Sequence, residues 1–191
     1  LRKLVAINQD GLSEYASGST ANIPQDEKLK VVSGTASSYQ SPDGIEKSFD
    51  GDYSTLYHSA WANGGQNYYP ITLTYNLAEA TNVDYVVYYP RTSGTNGRFH
   101  KFELQYSLDG NTYTKIEDYE IQDKAAPTRL SFDKPIRVKS FRFIVRKGYG
   151  DGAGFASCAE MEFFKKSDKS FDYKSIFADD LCTEVRPNVT E

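Results

Sequence analysis

Short runs in which apolar and polar residues alternate constrain the fold of this 191-residue chain more than any other feature. The clearest runs are residues 71–77, 102–106 and 141–145. Alternation with a period of two is typical of β-strands that bury one face. The denser apolar run at residues 83–89, which ends at Pro90, indicates a strand that is buried on both faces. The pattern therefore predicts a domain built mainly of strands.

The composition favours the same fold class. The chain contains 15 tyrosines and 11 phenylalanines against one methionine, with 14 glycines and 7 prolines. Aromatic residues are favoured on the pleated surface of sheets, and Gly and Pro are favoured in turns. With about eight predicted strands and no amphipathic helix longer than one or two turns, we expect an all-β jelly-roll β-sandwich.

Charge and hydropathy argue against several classes of function. The formal net charge is −4, and Lys and Arg are scattered, which argues against binding to nucleic acid. No apolar run approaches the length of a membrane span, so we expect no membrane-spanning segment. Because the chain begins with Leu1 and shows no signal peptide, we expect it to be a piece of a longer protein whose targeting signal lay upstream.

An acidic loop at residues 48–61 is the first candidate for a chemical role, since it shows no apolar periodicity. Its Asp50-Gly51-Asp52 turn can direct carboxylate and main-chain oxygens toward one point, and calcium binds about six to eight such oxygens. An ordinary Asp-Gly turn explains the same spacing. The loop also lacks the acidic twelfth residue of an EF-hand. From the spacing alone, both interpretations stay open.

The two cysteines, Cys158 and Cys182, form no CxxC pair, which excludes the common zinc and redox motifs. A disulfide between them and two reduced thiols both agree with the sequence. We favour two reduced, unreactive thiols.

Three ordered motifs together resemble one known superfamily. They are DGDYSTLYHSAW at residues 50–61, YYPR followed by NGRFHKFELQYSLDGNTY at residues 88–113, and FRFIV followed by FASCAEMEFF at residues 141–164. This order resembles the discoidin or coagulation-factor type C superfamily, and among its branches the bacterial carbohydrate-binding module family 32. The resemblance covers roughly residues 28–166 and implies a galactose-binding-domain-like jelly roll.

The resemblance implies a buried structural calcium ion beside the first motif. The residues at the matching ligand positions are Asp50, Asp52, Thr55, Glu160 and a carbonyl near Lys47. A carboxylate at Glu160, within an apolar strand, is costly to bury unless a cation or an equivalent partner meets it. We therefore expect a calcium ion that stabilises the fold and takes no part in catalysis.

The resemblance also implies a sugar site in the loops at one end of the sandwich. His58, Arg91 and Asn96 match its polar positions, and their hydrogen-bonding groups can recognise an axial hydroxyl such as that of galactose. Each also has an ordinary structural explanation, for example a turn at Asn96-Gly97. Residues 148–154 are richer in glycine than the family pattern, which leaves the sugar-stacking aromatic open. The aromatic candidates are Tyr149, Phe155 and Trp61.

The ends of the chain differ from its middle. We interpret residues 1–27 as a linker or the end of a preceding domain, and residues 28–166 as the sugar-binding sandwich. Residues 167–191 resemble the segment that opens the enhancin-like, mucin-degrading zinc peptidases of gut bacteria. The zinc motif HExxH is absent from this chain. The resemblance implies an attached catalytic domain and an extracellular or cell-surface location in a bacterium.

We expect a non-catalytic module that directs an attached enzyme to galactose- or N-acetylgalactosamine-containing glycans such as mucin. Two other functions stay open. A glycosidase needs a pair of available carboxylates, and the acidic cluster of Asp50, Asp52 and Glu160 is the one that stands out. A discoidin-type adhesion domain for protein or membrane surfaces needs apolar loop tips, and these loops offer few.

Overall fold

The computed structural model describes residues 4–8, 11–15, 25–62, 68–150 and 154–167, the first two ranges as backbone only. Strands dominate these ranges, together with one 3-10 helix at Ile45–Ser48, so the predicted all-β class is confirmed. The strands are β1 Leu4–Asn8, β2 Gly11–Tyr15, β3 Glu27–Leu29, β4 Val31–Ala36, β5 Tyr57–His58, β6 Ile71–Tyr89, β7 Phe99–Ser107, β8 Thr114–Glu120, β9 Thr128–Gly148, β10 Ser157–Cys158 and β11 Glu160–Lys165.

The chain divides into two units. Residues 27–165 form one compact unit, which holds β3 to β11. In the other unit, β1 and β2 pair as an antiparallel hairpin, with Leu4 opposite Tyr15. The assignment of residues 1–27 to a linker or a preceding domain stays a prediction.

Two long antiparallel strands, β6 and β9, organise the compact unit. Their pairing shifts register between Asn76 and Thr81 and again between Val83 and Tyr85. The first half of β6 pairs with β4 and with the second half of β9, which continues to β7 and β8. The second half of β6 pairs with β11, which pairs with β3. The long strands therefore pass from one group of strands to the other, as in a jelly-roll sandwich.

Aromatic side chains fill the space between the two groups. Tyr75 of β6 and Phe141 of β9 contact Phe163 of β11, with ring centroids 5.7 and 4.8 Å apart. All three side chains are fully buried. Since burying a side chain of this size contributes about 1.5–3 kcal/mol, this aromatic layer stabilises the packing of the two groups.

The strands extend beyond the alternating runs in three places. The runs at residues 71–77 and 83–89 form one strand, because residues 78–82 stay extended through the register shift. The run at 141–145 is likewise only part of a longer strand, β9, which begins at Thr128. Residues 33–36, whose Ser, Gly and Thr are typical of a loop, belong to β4, because they pair with β6.

One short ladder positions the candidate site. β5 and β10 pair antiparallel, with His58 opposite Ser157. The Ser59 N–H extends this ladder by donating to the Ala156 carbonyl oxygen at 2.9 Å. The loop that follows the acidic segment is thereby joined to the segment that precedes β11.

Candidate functional site

His58 is the last residue of β5, and its side chain is almost buried, at 6% exposure. Its Nδ1 is 2.7 Å from the Ser59 carbonyl oxygen. Because a carbonyl only accepts, Nδ1 carries the hydrogen, and Nε2 of the neutral ring is an acceptor. Burial lowers the pKa of His58, the hydrogen bond to Ser59 opposes this, and the charge of Arg91 lowers the pKa further. The ring is therefore neutral at pH 7 and offers Nε2 to a hydroxyl group.

Phe155 packs against His58 with the rings edge to face, at a centroid distance of 5.3 Å. The Phe155 carbonyl oxygen accepts a hydrogen bond from the Tyr69 hydroxyl at 2.6 Å. The neighbouring Ala156 N–H donates to Ser59 Oγ at 2.9 Å. Phe155 thus has a fixed backbone and a half-buried ring beside the imidazole, so part of the ring remains accessible.

Arg91 follows the end of β6, and its guanidinium is held within its own loop. Nε donates to the Ser93 carbonyl oxygen at 2.8 Å, and one terminal nitrogen donates to the Asn96 carbonyl oxygen at 3.5 Å. No carboxylate in the described part of the chain forms an ion pair with Arg91. The same Asn96 carbonyl oxygen accepts from Ser157 Oγ, and Ser157 lies opposite His58 in the ladder of β5 and β10, so these contacts link the Arg91 loop to His58.

The turn at Asn96 packs tightly against the segment that carries Phe155. The Asn96 carbonyl oxygen accepts a hydrogen bond from Ser157 Oγ at 2.9 Å. Gly97 has a φ of 82°, and a Cβ atom there would lie 2.8 Å from the Ala156 carbonyl carbon. Glycine is therefore required at this position, both for the left-handed backbone and for the close approach.

The other two aromatic candidates have different partners. The Tyr149 ring stacks on His100 with centroids 4.4 Å apart, and its hydroxyl donates to the Ile121 carbonyl oxygen at 2.9 Å. Trp61 is 53% exposed, and its backbone N–H is 3.2 Å from Gln40 Oε1. Residues 151–153 of the glycine-rich loop lie outside the described residues. Of the three aromatic candidates, Phe155 is the one whose ring packs on His58.

Arg98 is a candidate positioning residue that the sequence analysis missed. Its side chain is 10% exposed, and one terminal nitrogen is 2.9 Å from Asp123 Oδ1. Its Nε donates to the Arg91 carbonyl oxygen at 3.0 Å. A buried arginine requires such partners, so an ion pair anchors the backbone of Arg91. The sequence signal that could have pointed to a buried arginine is its position directly before the apolar residue Phe99, at the start of β7.

The acidic loop brings several oxygen atoms together. Thr55 Oγ1 is 2.8 Å from Asp50 Oδ2, 3.0 Å from the Asp52 carbonyl oxygen and 3.4 Å from the Lys47 carbonyl oxygen. The Asp52 carboxylate instead accepts hydrogen bonds from the Ser54 N–H and Oγ at 2.8 and 2.6 Å. The Asp52 carbonyl oxygen therefore lies beside Thr55 Oγ1, whereas one oxygen of its carboxylate is bound to Ser54.

Glu160 approaches the same loop from β11. It is 2% exposed, and its Oε1 accepts a hydrogen bond from the Gly51 N–H at 2.9 Å. Burial raises the pKa of Glu160 to about 7, and the Asp50 carboxylate contributes to this shift. Lys47 Nζ pairs with Asp50 at 3.7 Å, whereas no basic side chain among the described residues pairs with Glu160.

The oxygen donors of this loop fit a hard cation. No group of three or more His, Cys, Asp and Glu side chains in the described ranges is arranged to hold a metal. The set instead combines two carboxylates with carbonyl and hydroxyl oxygens, which is the mixture that calcium accepts. A divalent ion there would also neutralise the buried carboxylate of Glu160.

Cys158 is buried and has a free thiol. Burial raises the pKa of this thiol well above its ordinary value, so it stays protonated and unreactive.

Cys182 and the tail at 168–191, with its resemblance to the enhancin-like peptidases, lie outside the described residues. Within the described ranges, no helix has both the length and the apolar character to span a membrane.

Comparison with known proteins identifies the family. The sequence profile of the F5/8 type C domain matches residues 33–161. This chain belongs to the F5/8 type C domain family. The resemblance and the jelly-roll fold predicted from the sequence are thereby confirmed for this F5/8 type C domain.

Two solved structures are similar to this F5/8 type C domain. The family 32 carbohydrate-binding module of Clostridium perfringens NanJ, solved in complex with galactose, is 28% identical, with a TM-score of 0.64 and coverage of 70% of this chain and 93% of that chain. CpGH89CBM32-5 of Clostridium perfringens, solved with GalNAc-β-1,3-galactose, is 27% identical, with a TM-score of 0.63 and coverage of 70% and 94%.

A curated relative is also similar to the F5/8 type C domain. Antigenic protein P1 of Entamoeba histolytica is 29% identical over 132 residues, which cover 66% of this chain. The match spans 11% of that relative's length.

Proposed function

We propose that this domain is a non-catalytic carbohydrate-binding module for glycans that carry galactose or N-acetylgalactosamine. The observation that supports this most strongly is that ring packing and a chain of hydrogen bonds link His58, Arg91 and Phe155 in one cluster of side chains. The cluster combines a neutral acceptor, a cationic donor and an aromatic ring. The two similar clostridial modules were solved with galactose and with GalNAc-β-1,3-galactose, which supports the same ligand class here.

The chemistry of the cluster suits a sugar with an axial hydroxyl. One sugar hydroxyl can donate a hydrogen bond to His58 Nε2 and accept one from the Arg91 guanidinium. The two side chains together therefore recognise a hydroxyl both as a donor and as an acceptor. The C–H face of the sugar ring then packs on Phe155. We assign Asn96 as the third polar contact, because its loop is fixed against both Arg91 and the Phe155 segment.

The affinity for a single sugar is expected to be weak. Each hydrogen bond to the sugar replaces one to water and contributes only about 0.5–1.5 kcal/mol. After the entropy of association is subtracted, a Kd of roughly 0.1–1 mM follows. Such a module is effective when it is attached to an enzyme, because a multivalent surface such as mucin multiplies weak contacts. We therefore propose an extracellular enzyme, a metallopeptidase by the resemblance of the tail, as the parent protein.

We also propose that the acidic loop holds one structural calcium ion. The proposed ligands are the carbonyl oxygens of Lys47 and Asp52, the carboxylates of Asp50 and Glu160, and the hydroxyl of Thr55. When bound, the ion supplies positive charge to the buried carboxylate of Glu160 and fixes the loop that leads into β5. These carboxylates then serve structure, which argues against the glycosidase hypothesis.

Adhesion to a protein or membrane surface is the second candidate function. The exposed ring of Trp61 favours it, because an indole at a loop tip can bury itself in a partner surface. Binding to vesicles or to a protein, with no response on a glycan array, would support this function over sugar binding.

Calorimetric titration with galactose tests the proposed site. Arg91→Ala should weaken binding at least tenfold, equivalent to about 1.4 kcal/mol, because a charged donor to the sugar is lost. Arg137→Ala is the matched control. Arg137 is an exposed arginine opposite Asn82, and the nine residue steps from Asn82 to Arg91 span about 30 Å of extended chain.

The control should bind galactose like the wild type. Equal affinities of the wild type and Arg91→Ala would remove Arg91 from the site. No heat with galactose or N-acetylgalactosamine in any variant would overturn the proposed ligand class.

A further inference from the structure

An open cleft of about 410 Å³ lies between β4 and the 3-10 helix. Small residues, one exposed aromatic ring and one carboxylate line it. The residues that define its chemistry are Gly34, Ala36, Tyr39, Pro42, Gly44 and Glu46. None of the residues proposed for the galactose site lines this cleft, so it is a separate feature of the domain.

Two glycines shape the cleft. A Cβ atom on Gly34 would lie 2.8 Å from the Thr74 carbonyl oxygen and 3.1 Å from a carbon of the Phe49 ring. Both distances are shorter than ordinary non-bonded contacts of a carbon atom. A Cβ atom on Gly44 would collide with the Glu46 carboxylate. The Glu46 carboxylate therefore lies against the backbone of a residue in the cleft wall.

Tyr39 and Glu46 supply complementary groups. Tyr39 is 59% exposed, so its ring is open to a ligand. Within the described ranges, neither the Tyr39 hydroxyl nor the Glu46 carboxylate has a hydrogen-bond or ion-pair partner. An aromatic face packs against the C–H groups of a sugar, and a carboxylate accepts hydrogen bonds from two adjacent hydroxyls.

We propose that this cleft is a second saccharide-binding site. It takes a neutral hexose unit, with the C–H face on Tyr39 and two adjacent hydroxyls on Glu46. This inference goes beyond the proposed galactose site and requires none of that site's residues.

One loop serves both sites. The Gln40 N–H donates to the His58 carbonyl oxygen at 2.9 Å, and the His58 N–H donates to the Asp43 carbonyl oxygen at 3.1 Å. The residues between and beside them, Tyr39 and Pro42, line the cleft. Two sites that share one loop can engage two sugars of the same glycan cluster, where linked weak contacts reinforce each other.

Titration followed by 1H–15N NMR tests the cleft directly. The probes are the methyl glycosides of galactose, glucose, mannose, fucose and N-acetylglucosamine, each at tens of millimolar. In the wild type and in Arg91→Ala, at least one probe should shift the backbone amides of Gly34 and Gly44. Tyr39→Ala and Glu46→Gln should each weaken this response at least tenfold, whereas Tyr39→Phe should retain it.

The two sites give separable results. Loss of the cleft response in Tyr39→Ala, with galactose shifts near Phe155 unchanged, supports a second site. Because Tyr39 is exposed, Tyr39→Ala should keep the melting temperature of the wild type. The proposal is overturned when no probe shifts the cleft amides, or when Nα-acetyl-lysine amide shifts them and no sugar does. A cleft response without any response near Phe155 would instead contradict the galactose site alone.

Discussion

The hydrogen bond from His58 Nδ1 to the Ser59 carbonyl oxygen decides what the imidazole can do for a ligand. It leaves Nε2 as an acceptor only while the ring is neutral. Burial keeps the ring neutral by lowering the pKa of His58 below its ordinary value of 6.5. Galactose binding is therefore expected to depend on pH.

The galactose affinity should stay constant from about pH 8 down to about pH 6.5 and decrease at lower pH, as His58 is protonated in the folded state. Protonation converts Nε2 from an acceptor into a donor and places a second cation beside Arg91. The unfolded chain binds this proton more readily than the folded domain, so the contribution of His58 to stability also decreases below about pH 6.5. Galactose titration calorimetry across this range tests the effect on affinity, and His58→Gln should remove the pH dependence of the galactose affinity. Comparing the melting temperatures of the wild type and His58→Gln tests the effect on stability. An affinity that increases on acidification would contradict this role.

Arg98 should affect binding without touching the sugar. Arg98→Ala removes both the ion pair with Asp123 and the hydrogen bond to the Arg91 carbonyl oxygen. Because Asp123 is 36% exposed, we expect a loss of about 1–3 kcal/mol in the free energy of unfolding, less than for a fully buried pair. Denaturant unfolding measures this loss.

Arg98→Lys separates positioning from stability. A lysine keeps a charge for Asp123 but cannot also donate to the Arg91 carbonyl oxygen in the same geometry. This variant should retain most of the stability and still bind galactose about tenfold more weakly. Wild-type affinity in Arg98→Lys would show that Arg98 is purely structural.

The sequence supplied the candidate residues of the proposed site, but it did not show which of them lie together in space. The sequence left the sugar-stacking residue open among Tyr149, Phe155 and the competitor Trp61, because a local pattern does not report which rings meet in space. The structure places Phe155 on His58 and Tyr149 on His100. Arg98 went unnoticed for the same reason, since its partners are 7 and 25 residues away in sequence.

At the scale of elements, the acidic loop carries the calcium proposal. A ligand that binds only the folded state stabilises it, by about 2.7 kcal/mol at a hundredfold excess over Kd. A chelator should therefore lower the melting temperature of the wild type by several degrees, at about 2–4 °C per kcal/mol for a domain of this size. Scanning calorimetry with and without chelator, together with elemental analysis, measures this.

Two variants make the chelator experiment specific. Glu160→Gln should melt at the same temperature with and without chelator. Asp109→Asn alters an ordinary Asp-Gly turn, whose carboxylate accepts the N–H groups of Asn111 and Thr112 at 2.8 Å, so it should stay sensitive to chelator. A wild-type melt that does not respond to chelator, with no metal detected, would refute the calcium site.

The strands show where alternation is a sufficient signal and where it is not. Periodicity located the cores of β6, β7 and β9 because each buries alternate residues. It did not join the two halves of β6, because exposed Ala78 and Glu79 at the register shift interrupt the pattern. Residues 33–36 contain Ser, Gly and Thr and are read as loop, yet pairing with β6 holds them extended.

At the scale of the whole molecule, the loops that carry the proposed sites depend on the packed sandwich beneath them. The aromatic interior holds the sandwich together. The ladder between β5 and β10 ties the segments that carry His58 and Ser157 to each other. The overall fold was predictable from alternation and composition, since both are properties of many residues. The meeting of the loops depends on a few long-range hydrogen bonds, which leave no periodic trace in the sequence.

The pairing of β3 with β11 has a consequence for how the module is carried. Glu27 lies opposite Lys165, so the chain enters and leaves the compact unit at neighbouring positions, with Cα atoms about 5 Å apart. The two attachment points lie five residues of strand beyond Glu160, about 16 Å from the acidic loop end of β11. A unit whose two ends lie side by side can be inserted into or removed from a longer polypeptide while the flanking segments remain almost in place.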